Sequence, residues 1–177
     1  MQFKLSTIVG LLAVASPALA VDAASRIDGF TVLAKDVQTT ANSIEVSNAL
    51  SKTSDTIDRF YLLSNAEKIA KDRLLDKGEE ALAADQQQAA CNSFTNYASA
   101  ATDMLNTVKE KHVDVELVGK GYQMAAHLRA LERANDDFAD LLTEILAPSC
   151  GSSLADTIKD LDKLLASTKK TYTWGLP

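Results

Sequence analysis

Two cysteines, Cys91 and Cys150, two histidines, His112 and His127, and a row of four carboxylates, Glu132, Asp136, Asp140 and Glu144, are the residues of this chain whose types and spacing could do chemistry. A thiol near a histidine could act as a nucleophile, but neither cysteine has a histidine near it in sequence. The reading preferred over two free thiols is one disulfide across 58 intervening residues, a link that chain entropy values at roughly 4 kcal/mol at most. The histidines stand fifteen residues apart, and neither has the i, i+4 partner of a helical metal site, so both read as solvated or packed side chains. The acidic row repeats at i, i+4, where like charges repel by about a few tenths of a kcal/mol per pair. A divalent cation or a basic partner could offset that repulsion, as could Lys159, Lys163 and Lys170 on an antiparallel neighbouring helix. The lysines are the expected answer, because calcium sites bend a loop around the ion. Gly-x-Ser-x-Gly, His-Glu-x-x-His, phosphate-loop and Cys-x-x-Cys patterns are all absent. No catalytic residue, metal site or cofactor is therefore expected, and the chain reads as a non-enzyme.

The elements that must position these residues are helices. Beyond residue 20 the only prolines are Pro148 and Pro177, glycine is sparse, and Ala, Leu, Asp and Lys abound. Five amphipathic stretches follow. The first carries Ile27, Phe30, Leu33, Val37, Ala41 and Ile44, and opens on a capping-box pattern at Ser25–Asp28. The second begins near Ser54 or Asp55 and ends at Gly78; its Ile57, Phe60, Leu62, Leu63, Ala66, Ile69, Ala70 and Leu74 spread over more than one stripe. The third runs from about Asp85 to Lys111 through Phe94, Ala98, Ala101, Leu105 and Val108, with Tyr97 and Met104 alongside. His112 to Gly121 reads as an irregular connection or a bent helix. The fourth carries Met124, Leu128, Leu131, Asn135, Phe138, Leu142 and Ile145 until Pro148 and Gly151 stop it. The fifth carries Leu154, Ile158, Leu161, Leu165, Thr168 and Tyr172 behind a capping-box pattern at Ser153–Asp156. Short connections make neighbours antiparallel, which brings Cys91 at the start of the third stretch to Cys150 beyond the fourth. The expected fold is all-α: a single antiparallel bundle of about five helices with one disulfide.

The first twenty residues set the compartment. Lys4, an apolar run from Leu5 to Val14 and the small-x-small Ala18-Leu19-Ala20 form a secretory leader cleaved after Ala20, leaving 21–177 as one helical domain. The apolar run is too short to span a bilayer, and no transmembrane segment is expected. Removing Lys4 takes the formal charge from −6 to −7, and an acidic chain without a basic cluster is a poor partner for nucleic acid or anionic head groups. The chain holds no Asn-x-Ser/Thr acceptor, which leaves only O-linked sugar open. The expected location is secreted, extracellular or cell-wall associated.

Within the apolar rows, Asn135 is an amide that needs partners if buried. It fixes register or meets the head group of an apolar ligand. Alanines 98, 101, 125 and 134 either let helices approach closely or leave a dry slot between bulkier neighbours. Tyr172 to Leu176 would form an apolar foot if exposed and would cap the core if packed back.

In this order of features the chain resembles the fungal hydrophobic-surface-binding protein A family, which includes cell-wall galactomannoproteins with lipid-binding helical domains. The resemblance spans the whole region beyond the leader. It is strongest from Lys109-Glu110-Lys111, through Val118-Gly119, Asp137-Phe138 and Ala147-Pro148, to Tyr172. It implies a secreted, non-enzymatic bundle that adsorbs to hydrophobic surfaces or encloses fatty acyl chains; the two cysteines are a departure from the family's pattern. The expected function is thus binding of a fatty acid, another apolar ligand or a hydrophobic surface. The lining would be Phe60, Phe94, Met104, Met124, Leu128, Asn135, Phe138, Leu161 and Leu165. The alternative is an effector that presses a helix face against a host or cell-wall protein.

Overall fold

A computed structural model describes residues 15–76 and 84–173. They form α1 (Ala15–Asn42), α2 (Ala49–Asp76), α3 (Ala84–Glu110), α4 (His112–Leu117) and α5 (Gly121–Thr171), and no strand occurs among the described residues. The all-α expectation holds, and so does the disulfide between Cys91 and Cys150, whose Cα atoms lie 5.7 Å apart. No helix among the described residues is long and apolar enough to cross a membrane.

Helix α1 buries Ala23, Ile27, Phe30, Ala34, Val37 and Ala41, and Ile44 just beyond its end continues the unbroken alternation of four- and three-residue steps. That spacing keeps one stripe of a long helix turned to its neighbours. Helix α1 runs straight through Ser25–Asp28, so the capping-box pattern there caps nothing. Asn48 organises the following turn: its Oδ1 accepts from the Glu45 amide at 2.9 Å and its Nδ2 donates to the Ser43 carbonyl at 3.1 Å. Helix α2 begins at Ala49, earlier than its apolar pattern indicates. Its buried row is Ala49, Thr53, Thr56, Phe60, Leu63, Glu67 and Ala70, in the same four–three rhythm. Leu62 and Ile69, members of the wider apolar spread of this stretch, are exposed. Gly78, the expected end of this helix, lies outside the described residues.

The connection after α3 is a short helix rather than an irregular loop. Helix α4 closes with the Lys120 amide donating to the Val115 carbonyl at 3.1 Å and the Gly119 amide donating to that of Glu116 at 2.9 Å. This closure needs a left-handed residue, and Gly119 takes it with φ of 68°.

Helical turns continue without interruption through the 51 residues of α5, yet α5 is not one rod. A straight helix would hold Asn135 and Asp162 roughly 40 Å apart at 1.5 Å per residue, but their side chains meet at 3.3 Å. Glu132 likewise meets Lys169. Both pairs are centred on residues 148–151, so α5 folds back at Pro148–Gly151, where the expected helix break lies. The helical turns carry on through the bend. Ser153, expected to cap a new helix, instead donates its hydroxyl to the Cys150 carbonyl at 2.8 Å.

The arms pack as a closed ring: α1 against α2 and α3, and α5 against α2 and α3. Phe30 faces Tyr97, and Lys111 donates to the Ile44 carbonyl at 2.8 Å; both pairs are 67 residues apart, so α1 and α3 run parallel. The disulfide ties the start of α3 to the bend of α5. At the other end Tyr172 donates its hydroxyl to the Val108 carbonyl, so this tyrosine caps the core. Trp174 to Leu176 lie outside the described residues.

Candidate functional site

All nine residues expected to line a ligand slot are sealed from solvent. Eight of them join one continuous apolar cluster that draws on every long helix; Asn135 is buried beside it. A surface groove of about 490 Å³ between α1 and α3 is separate from them, being bordered by polar groups such as Asp28, Lys35, Asn96 and Asp103.

Asn135 acts as a clip between the two arms of α5. Its Nδ2 donates to Asp162 Oδ1, while its own Oδ1 has no partner among the described residues. Asp162 is also hydrogen-bonded to Asp136. Partial burial first, then the Asp136 charge and that hydrogen bond, push its carboxyl up to about 6. The acidic row is answered at one end by Lys169, whose ammonium lies 2.6 and 2.5 Å from the two Glu132 oxygens. The expected partners for that row were Lys159, Lys163 and Lys170. Lys163 instead bonds Asp160 one turn away at 2.9 Å, because the register of the second arm brings Lys169 to Glu132. Among the described residues no group of three or more His, Cys, Asp or Glu side chains is placed to hold a metal ion.

The centre of the bundle holds a group that the sequence reading passed over. Glu67, on the interior row of α2, is fully buried and accepts a hydrogen bond at Oε1 from the Tyr97 hydroxyl of α3. Three further rings share this layer. Phe30 of α1 meets Tyr97 edge-on with centroids 5.7 Å apart, Phe138 of α5 meets Phe30 at 5.2 Å, and Phe94 of α3 meets Tyr97 at 6.0 Å. Such edge-to-face pairs are each worth about 0.5–1.5 kcal/mol beyond the area they bury. Burial among these rings raises the Glu67 carboxyl from an ordinary 4.5 to about 8, with the Tyr97 hydrogen bond pulling only partly the other way. At neutral pH Glu67 is therefore mostly protonated. Its Oε2 has no hydrogen-bond partner among the described residues. The signal that finds Glu67 in the sequence is its place in the four–three row, seven residues after Phe60 and four after Leu63.

A closed, disulfide-tied helical bundle with a proton-holding carboxyl at its centre is thus the class of structure in hand. It is similar to the crystal structure of Afmp4p in complex with palmitic acid, with a TM-score of 0.78, covering 86% of this chain and 99% of that one at 17% sequence identity. At that identity the likeness establishes the fold. No family model and no curated protein matches the chain.

Proposed function

We propose that this is a secreted, non-enzymatic protein that binds a fatty acyl lipid or another apolar ligand between its helices, residues 1–20 being removed as a leader. The observation that carries the reading is an interior whose apolar side chains come from every long helix and surround one unsatisfied carboxyl oxygen. Support comes from the fold, which in Afmp4p is found together with palmitic acid. Affinity would arise from apolar area leaving water, at about 25 cal/mol per Å². Titration of delipidated protein with a fluorescent fatty acid tests it: saturable binding well above that of an inert helical control is expected, and its absence ends the proposal.

A second mode, adsorption to a hydrophobic surface, is favoured by one observation. Val46, Leu50, Val113, Leu117 and Tyr122 are between 55 and 75% exposed. All belong to one end of the bundle, where the α1–α2 turn, α4 and the first turn of α5 meet. Replacing both Leu117 and Tyr122 by Ser is expected to reduce adsorption to a hydrophobic bead at least severalfold and to leave fatty-acid binding in solution unchanged. Equal adsorption by the variant rules this end out.

A further inference from the structure

Glu67 is the one buried carboxyl of the central layer, and its two oxygens are not equivalent. Oε1 accepts a hydrogen bond from the Tyr97 hydroxyl. In the neutral acid the proton then sits on Oε2, an O–H with no acceptor among the described residues. Such a donor in a dry interior is costly unless something accepts from it. The layer holds Glu67, one phenol and three phenyl rings, and among the described residues no positive charge offsets the effect of burial on Glu67. An ionised head group placed there would be a buried charge without a counter-charge. A neutral oxygen would complete the pairing.

We propose that Glu67 is the head-group anchor of the bundle: through Oε2 it donates a hydrogen bond to the neutral oxygen of a long-chain amphiphile, such as an alcohol or a carboxylic acid that enters with its proton. The tail lies among the apolar side chains that line the interior from this layer outward. The inference rests on the reading that the bundle takes an apolar guest. It assigns that guest a chemical class, neutral rather than ionised, and places its polar end at α2 and α3 rather than at Asn135, whose Nδ2 already serves Asp162 and whose free Oδ1 can accept but not donate.

The test compares 1-dodecanol with dodecane as competitors of a fluorescent apolar probe at pH 6, with the native chain, Glu67→Gln and Glu67→Leu. The native chain is expected to bind the alcohol about tenfold more tightly than the alkane. Glu67→Gln, which keeps a donor, retains most of that preference. Glu67→Leu loses it while still binding dodecane, which shows that its interior remains intact. If the native chain treats the two alike, or if Glu67→Leu keeps the preference, the anchor lies elsewhere although apolar binding stands. If neither compound displaces the probe from the native chain, the underlying reading fails and the anchor fails with it.

Discussion

Two clusters join this bundle's helices, one around a single buried carboxyl and one around several partly exposed carboxyls, and they behave differently. In the central layer Glu67 is fully buried with a single phenol to bond, and it keeps its proton up to about 8. Along the hairpin of α5, Asp136 and Asp162 share a hydrogen bond at the edge of the solvent, and Asp162 reaches only about 6 although a second carboxyl lies beside it. Glu132, on the same arm, stays paired to Lys169. Removal from water leads at both groups, and the more complete burial of Glu67 gives it the larger shift. Where water still reaches, ion pairing and screening set the balance.

The largest expected effect falls on the central layer. Between about 4.5 and about 8 the folded chain keeps the Glu67 proton that the unfolded chain has released. The contribution of this group is therefore fully present below pH 4.5 and is lost as pH rises through that window, at roughly 1.4 kcal/mol per unit at most. Urea unfolding at pH 5, 6.5 and 8 should show the native chain weakening relative to Glu67→Gln, which has no proton to lose. A constant difference between the two across these pH values would mean that Glu67 is ionised in the fold, and the contrast between the clusters would vanish.

Next comes the tie at the bend of α5. The disulfide from Cys91 to Cys150 fixes the hairpin to α3, and replacing both cysteines by Ala should cost about 2–4 kcal/mol in chemical denaturation. If the hairpin cluster depends on that tie, the Asp162 carboxyl should return toward an ordinary value in the double variant, while Glu67, fully buried and bonded to Tyr97 within its own layer, keeps its raised pKa. Carboxyl titration by NMR reads both, and a simultaneous fall of the two would show that the clusters form one unit.

How far the sequence foretold this arrangement depends on which face of which helix is considered. Helix α1 repeats apolar residues at strict four–three spacing, so most of its interior row is legible at sight, although the step after Phe30 falls on Ala34 and leaves the larger Leu33 only partly buried. Helix α2 keeps the same rhythm but fills three of seven interior positions with Thr53, Thr56 and Glu67, while Leu62 and Ile69 lie outside. A reading by hydrophobicity follows the leucines and misses the carboxylate, although a reading by spacing alone includes it. The hairpin was legible at Pro148 and in the thiol positions, because chain reversal and disulfide geometry impose the same neighbours. Its ion pairing was not, since packing register decides that Lys169 is the lysine that reaches Glu132, and no local pattern sets that register.

The smallest expected effect concerns the hairpin carboxyls. Asp162→Asn removes the group that is raised to about 6 and leaves a side chain able to bond both Asn135 and Asp136. The folded chain holds the Asp162 proton above the pH at which the unfolded chain releases it. The native chain therefore loses this contribution as pH rises from about 4 to about 6, and the variant does not. Because the group is largely open to solvent, the whole difference should stay below about 1 kcal/mol and shrink further in salt. The Glu67 effect should hardly respond to salt, because its field lies in the dry interior. Measuring both variants at low and high ionic strength therefore separates the clusters by mechanism. If the two respond alike to salt, burial does not distinguish them, and the water-excluded centre loses its claim to a special chemistry.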